Sequence, residues 1–122
     1  MNLRSTLSHV LASQEEIAAD EERTDSLAQV GCIAAATAGN RVQVALSGVI
    51  RSVILRPRQG VQAFEAELFD GSASVDLVWL GRRRIAGIEP GRRARIEGLL
   101  CQIDGRPTIF NPRYELRVRP GE

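Results

Sequence analysis

The 122-residue chain contains no lysine, one histidine (His9) and only two cysteines (Cys32 and Cys101). The cysteines lie far apart in apolar runs, without a C-x-x-C pair or a partner histidine. We therefore expect free, buried thiols in a reducing compartment. A zinc site or a histidine-dependent catalytic triad has too few residues to form. The composition thus predicts a protein without metal, cofactor or enzymatic activity.

Long hydrophobic runs and export signals are missing as well. The longest apolar stretch, near residues 33–38, is far shorter than the roughly twenty residues that span a bilayer. The first thirty residues carry acidic side chains where a signal peptide would have a basic start and an apolar block. We expect a cytoplasmic protein that has no membrane partner.

Aromatic residues are scarce, at 4% of the chain. The five are Phe64, Phe69, Trp79, Phe110 and Tyr114. Proteins that stack single-stranded bases usually present more rings than this. The composition therefore limits, but does not remove, the case for base stacking.

Positive charge is distributed unevenly along the chain. All sixteen cations are arginines, set against fifteen acidic residues, for a formal net charge of +1. Residues 1–40 hold two arginines and six acids, a net charge of −4, so the remainder carries +5. The planar fork of arginine suits phosphates and base edges, although genomic base composition also produces such a bias. The arginines give weak support for phosphate recognition.

Residues 1–40 are expected to form a short N-terminal helical arm. Ser13–Glu16 has the S-x-x-E form of a capping box ahead of Ile17, and Thr24–Ser26 can cap a second helix over residues 27–38. Apolar residues also recur at helical spacing before the box, at Leu3, Leu7, Val10 and Leu11. Two interpretations stay open: the helices cover one opening of the next domain, or they form a surface for self-association or a protein partner.

From residue 41 the apolar period changes to two, which is typical of β-strands. Gly48 predicts a bend or bulge inside a long first strand. Asp70-Gly71 predicts a tight hairpin, because glycine accepts the positive φ that such turns require. Five strands are predicted, at residues 41–55, 61–69, 74–80, 92–103 and 108–118.

The connections between these strands indicate the architecture. Residues 56–60 and 104–107 are predicted turns, and residues 81–91 are a longer connection with one helical turn. Asn111-Pro112 is expected to break the last strand, because proline cannot donate to a ladder. We therefore predict a mainly β fold, a five-stranded OB-fold barrel over residues 41–120, behind the short N-terminal helical arm.

The turns and strand ends of this region resemble a known family. The matching positions are Gly48, Asp70-Gly71-Ser72, Val78-Trp79, Pro90-Gly91, Gly98 and Asn111-Pro112-Arg113-Tyr114-Glu115-Leu116. They are similar to OB-fold domains of the anticodon-binding type, especially the wedge domain of the helicase RecG, and to stand-alone actinobacterial proteins with this domain behind a helical arm. The resemblance covers residues 41–118 and implies nucleic-acid binding. Without a Walker loop it implies no ATP-driven translocation.

Ligands of OB barrels lie across the second and third strands, flanked by the loops between strands one and two and strands four and five. The first of these loops is expected to supply Arg56 and Arg58, with Arg51 beneath them, and the last loop Arg106. Phe69, and with it Trp79, would stack bases, although the parity of Trp79 favours the core. Arg82-Arg83-Arg84 would extend the phosphate track, or simply form a solvated run.

Acidic residues on the second and third strands argue against phosphate binding at this face. Glu65, Glu67 and Asp76 are expected on the same strand faces, where their carboxylates would repel phosphate. The predicted function is therefore non-catalytic binding of single-stranded or branched DNA or RNA with low sequence specificity. The alternative is an OB module that docks a protein partner as an accessory subunit.

Overall fold

The computed structural model describes residues 14–24 and 31–118 of the chain. Residues 14–24 form an α-helix (α1), and Ala35–Thr37 form one 3₁₀ turn. The strands are β1 (Val42–Arg58), β2 (Val61–Phe69), β3 (Ser74–Leu80), β4 (Arg93–Ile103), β5 (Arg106–Phe110) and β6 (Arg113–Arg117). No helix of the described residues is both long and apolar enough to cross a membrane.

Five strands close into a ring, as predicted for an OB-fold barrel. β1 pairs with β2 and, through its first half, with β4, while β3 pairs with β2 and in parallel with β5. β5 completes the ring by pairing with β4. This mainly β topology, with a helix ahead of it, confirms the predicted fold class.

The predicted fifth strand is two strands in the structure. It ends at Phe110 and resumes at Arg113 as β6, which pairs with β4 outside the ring. Asn111 between them has a φ of 49°, and Pro112 has no N–H to donate. The break predicted at Asn111-Pro112 is thus confirmed.

Gly48 lies where β1 passes from one partner strand to the other. Val49 pairs with Arg93 of β4 and also with Phe69 of β2. A Cβ at Gly48 would lie 2.3 Å from the carbonyl oxygen of Phe69, so glycine lets the β2 backbone approach. The bulge itself follows between Ile50 and Ser52, where the register with β2 shifts.

The barrel interior is filled by side chains of the ring and by the connection from β3 to β4. Ile85 and Ile88 of that connection are buried in the core. Residues 81–92, all of them described, form turns and no helix, so the predicted helical turn is wrong. The two cysteines are free but only partly buried, and burial raises the pKa of the Cys32 thiol.

The N-terminal arm is only partly helical. Helix α1 agrees with the prediction for residues 14–24, whereas the earlier apolar repeat and residues 25–30 lie outside the described residues. The second predicted helix is wrong for residues 31–34, which are not helical. Within its described part only Ala35–Thr37 form a 3₁₀ turn. Backbone N–H groups here bond to the barrel instead: Ile33 donates to the carbonyl of Ala45 at 3.1 Å. Tertiary hydrogen bonds outweigh helix propensity in this segment.

Candidate nucleic-acid interface

The outer surface of β1, β2, β3 and β5 carries two rows of side chains in register. Alternate residues of β2 such as Leu68 point into the core, so Glu65 and Glu67 point outward. One row across the strands is Ser52, Glu67, Asp76 and Thr108. The next row is Ile54, Glu65, Val78 and Phe110.

A cleft of about 360 Å³ lies on this surface and holds three of the predicted arginines. We call it the arginine cleft; its polar lining is Ser52, Arg56, Arg58, Glu65, Glu67, Asp76, Asp104, Arg106 and Thr108. Arg56 and Arg58 reach it from β1 itself, because the strand continues to Arg58 and only Gln59-Gly60 form the turn. The prediction that a loop carries these two arginines is therefore wrong.

Each arginine in the cleft is held by a carboxylate. Arg56 donates to Glu65 from Nε at 2.5 Å, and Arg58 donates to the same carboxylate from Nη2 at 2.9 Å. Arg106 donates two hydrogen bonds to the Asp76 carboxylate, from Nε at 2.7 Å and from Nη2 at 2.8 Å. Such charge-assisted, fork-like pairs fix the guanidinium groups in place.

The ion pairs change the acidity of both partners. Burial raises the pKa of Glu65, but the hydrogen bonds and charges of Arg56 and Arg58 outweigh burial and hold that pKa below its ordinary value. The hydrogen bonds to Asp76 raise the pKa of Arg106. The Glu65 carboxylate is thus ionised at neutral pH, and the ion pairs of Glu65 and Asp76 offset part of the repulsion that these acids were expected to exert on phosphate.

An open apolar corner adjoins the cleft at the β1–β2 turn. Arg58, Gln59, Val61, Leu80 and Phe110 line a pocket of about 350 Å³ there. The Phe110 side chain is 37% exposed, and the Arg58 guanidinium carbon lies 5.8 Å from the ring centroid. Sequence reasoning did not assign Phe110 to the site, although its parity with Arg106 and Thr108 on β5 could have placed it there.

The predicted stacking residues Phe69 and Trp79 lie elsewhere. The guanidinium of Arg51 lies 3.6 Å over the half-buried Phe69 ring, so one face of this ring is already occupied by a cation–π contact. Trp79 is 6% exposed, and its Nε1 donates to the carbonyl of Pro112 at 3.1 Å. The structure therefore places Trp79 in the core, not on a binding surface.

The three consecutive arginines follow directly after the apolar corner. Arg82, Arg83 and Arg84 are exposed in the connection that leaves β3 at Leu80. Arg83 donates from Nε to the side chain of Gln62 at 2.9 Å, beside Val61 of the corner. The structure thus places Arg83 next to the open corner, whereas Arg51 and Phe69 form a separate pair.

The opposite end of β2 is closed by the N-terminal segment. The carboxylate of Asp70 accepts hydrogen bonds from the N–H of Ala35 at 2.7 Å, from both the N–H and the hydroxyl of Ser72, and from the N–H of Ala73. Gly71, with a φ of 91°, confirms the predicted hairpin turn. These bonds tie residue 35 to the β2–β3 hairpin.

Helix α1 rests on the same hairpin. A Cβ at Gly71 would lie 2.2 Å from the backbone nitrogen of Arg23 and 2.4 Å from the carbonyl oxygen of Ala19. Glu22 is buried and accepts a hydrogen bond from Arg93 at 2.5 Å. The helix therefore covers the end of the outer face that holds Phe69.

The search for a metal site concerns only the part of the chain that the structure describes. Within residues 14–24 and 31–118, no group of three or more His, Cys, Asp or Glu side chains could hold a metal ion. The arrangement of the outer face can instead bind an extended ligand that has anionic and flat apolar parts.

Two solved structures are similar to this chain. The structure of RecG bound to a three-way DNA junction superposes with a TM-score of 0.54 at 23% identity, over 67% of this chain and 12% of that chain. A replication protein A heterotrimer bound to single-stranded DNA gives a TM-score of 0.49 at 13% identity, over 80% of this chain and 76% of that one. At such identities the likeness concerns the fold alone. No protein-family model and no curated protein matches the sequence.

Proposed function

We propose that this protein binds single-stranded or branched DNA or RNA across the outer face of β1, β2, β3 and β5, without catalysis and without a defined recognition sequence. The observation that carries the proposal is the open corner at Phe110. An exposed ring lies beside Arg58 there, on the same face as Arg56 and Arg106. We also propose that the protein works in the cytoplasm, on the sequence grounds given above.

Phe110 provides the stacking surface in this proposal. Its ring is open to solvent and flanked by the apolar side chains of Val61 and Leu80. A base that stacks on such a ring contributes about 1–3 kcal/mol to affinity, and every base has a face that can do so. This contact therefore favours unpaired nucleotides without selecting a sequence.

The cleft arginines provide the phosphate contacts. Arg56 and Arg58 share one carboxylate, so each guanidinium keeps N–H donors that Glu65 does not use. Because the ion pairs already hold the side chains, binding a phosphate requires little further ordering. Arg82, Arg83 and Arg84 extend the positive surface beyond the corner.

The likeness to RecG supports the proposal at the level of the fold. The RecG structure in question was solved with a three-way DNA junction, and OB barrels commonly present this same face to oligonucleotides. This chain covers 12% of the RecG chain, so the remaining activities of that protein are not part of the proposal.

A second candidate function, a barrel that docks a protein partner, is favoured by the charge balance of the cleft. Its lining holds Arg56, Arg58 and Arg106 against the four acids Glu65, Glu67, Asp76 and Asp104. A surface with this balance attracts a polyanion less strongly than the whole barrel's charge indicates.

The test is fluorescence anisotropy with labelled poly-dT, a mixed-sequence RNA and a forked duplex, at low and at physiological salt. The informative variant is Arg56→Gln/Arg58→Gln/Glu65→Gln, which removes both cations without leaving a buried carboxylate unpaired. We expect weaker binding at low salt and a salt-dependence slope that is smaller by about two, one for each lost phosphate contact.

The matched control is Arg92→Gln/Arg113→Gln/Glu115→Gln, which makes the same charge change at exposed positions outside the cleft. An equal loss in both variants would mean that only total charge matters. Absence of binding to all three nucleic acids, even at low salt, would overturn the proposal and favour the protein-docking module.

A further inference from the structure

Two carboxylates face each other in the middle of the arginine cleft. Glu67 of β2 is directly opposite Asp76 of β3, and on its other side Glu67 is opposite Ser52 of β1. Like charges directly opposite on antiparallel strands destabilise a sheet. Arg106, which binds Asp76 and whose charge also interacts favourably with Glu67, offsets part of this cost and allows the two carboxylates to lie side by side in the cleft.

The two carboxylates differ in what holds them. Asp76 is bound at both oxygens by Arg106. Glu67 is half-buried, lines the cleft, and forms no ion pair with the residues that the structure describes. Both oxygens of Glu67 are therefore available to accept hydrogen bonds from a ligand.

We propose that Glu67 accepts a hydrogen bond from the exocyclic amino group of an unpaired base, so that the face prefers cytosine to uracil. The inference rests on the proposed function and names the kind of nucleotide that the same site selects. Cytosine offers an N4 amino donor to a carboxylate. Uracil presents an oxygen acceptor at the same ring position, so a carboxylate placed to bind cytosine N4 is repelled there, and binding the N3–H of uracil would require a different placement of the base. Attraction of one base and repulsion of the other add to the discrimination.

The base at Glu67 is not the base that stacks on Phe110. The two side chains are one row apart along the strands and two strands apart across the sheet, a separation of roughly 12 Å from standard strand spacings. Stacking at Phe110 and selection at Glu67 therefore act on different nucleotides, and each can be changed without the other.

The experiment compares oligodeoxycytidine with oligodeoxyuridine of matched length by fluorescence anisotropy, at low salt, neutral pH and with EDTA present. These pyrimidines differ at the edge that Glu67 would read, and EDTA prevents a metal ion from bridging carboxylate and phosphate. We expect the cytosine oligomer to bind about tenfold more tightly.

The informative variant is Glu67→Gln. The amide can both donate and accept, so the ratio of the two affinities should fall to about one, and the neutral side chain also relieves the repulsion from Asp76. Glu115→Gln, which neutralises an exposed carboxylate on β6, is the control and should keep the wild-type ratio. Circular dichroism of each variant verifies that the barrel is folded.

The outcomes separate the two proposals. Binding to both oligomers with equal affinity, or a preference for cytosine that survives Glu67→Gln, would overturn the role of Glu67 while nucleic-acid binding stands. Binding to neither oligomer would overturn the proposed function itself. A cytosine preference that disappears in Glu67→Gln and persists in Glu115→Gln supports the inference.

Discussion

On the outer face of the barrel an arginine lies next to an aromatic ring near each end of β2, and the two ends differ. At one end the guanidinium of Arg51 lies 3.6 Å over the Phe69 ring, beside a pocket that helix α1 also lines. At the other end Arg58 lies 5.8 Å from the centroid of Phe110, and that ring lines an open corner. A pocket of about 350 Å³ adjoins each ring, but helix α1 lines only the first pocket, which we call the closed end, whereas barrel residues alone line the second, the open end.

The comparison shows what turns an arginine and an aromatic ring into a binding site. The residue types are the same at both ends, so their chemistry does not separate them. The difference lies in the surroundings of the ring, because helix α1 lines the pocket beside Phe69 whereas Phe110 is 37% exposed. We therefore expect changes at the closed end to lower stability and changes at the open end to lower affinity.

The largest expected effect comes from Asp70→Ala at the closed end. Asp70 is 1% exposed, and its loss leaves the N–H groups of Ala35, Ser72 and Ala73 without their acceptor. We expect the free energy of unfolding to fall by about 3 kcal/mol, because the buried N–H of Ala35 and the partly buried N–H groups of Ser72 and Ala73 all lose their acceptor. Urea denaturation measures this change.

The control for this variant is Glu89→Ala, a carboxylate exposed in the connection before β4. It should change the free energy of unfolding by a few tenths of a kcal/mol at most. If folded Asp70→Ala protein also bound nucleic acid more weakly than wild type, the separation of the two ends would be wrong.

An effect of intermediate size is expected from removing each ring in turn. Phe110→Ala should lower the affinity for poly-dT about tenfold, since one stacked base is lost, with little change in stability because the ring is partly exposed. Phe69→Ala should do the reverse and reduce stability with little effect on affinity. Anisotropy titrations and urea denaturation of both variants test the pair, and equal losses of affinity would erase the distinction between the ends.

The smallest expected effect is the pH dependence of the stability that the ion pairs of Glu65 contribute. Glu65 has a pKa below its ordinary value of 4.5 in the folded protein, so its ion pairs add stability above pH 4.5. That contribution disappears as the pH falls through the lowered folded-state pKa. The difference in unfolding free energy between wild type and Glu65→Gln should therefore shrink on acidification, measured by urea denaturation at several pH values. A difference that grew instead would contradict the sign.

The sequence predicted the barrel well because turns and breaks are local. Gly48, Asp70-Gly71 and Asn111-Pro112 act through their own backbone, and all three lie where the structure needs them. The helix expected over residues 27–38 failed in its described part, because Ile33 and Ala35 bond to distant parts of the barrel. The residue pattern within the segment does not indicate hydrogen-bond partners that lie so far away in the sequence.

The candidate site was predicted less completely than the fold. Arg56, Arg58 and Arg106 share one cleft, but they lie on β1 and β5 and not in the loops to which the sequence assigned them. Parity does not say what else covers a face, so the shielding of Phe69 by Arg51 could not be read from the sequence. Sequence reasoning did not assign Phe110 to the site, although the parity of β5 places it on the face that holds Arg106.

The carboxylate of Asp70 also bears on the order in which the chain folds. Three of its hydrogen bonds reach only two or three residues along the chain, to Ser72 and Ala73, whereas the bond from Ala35 spans 35 residues. The short-range bonds close a small loop at little entropic cost, and they orient the acceptor before the distant donor arrives. We expect the β2–β3 hairpin to form early, and the N-terminal segment to dock last onto a receptor that the hairpin has already built.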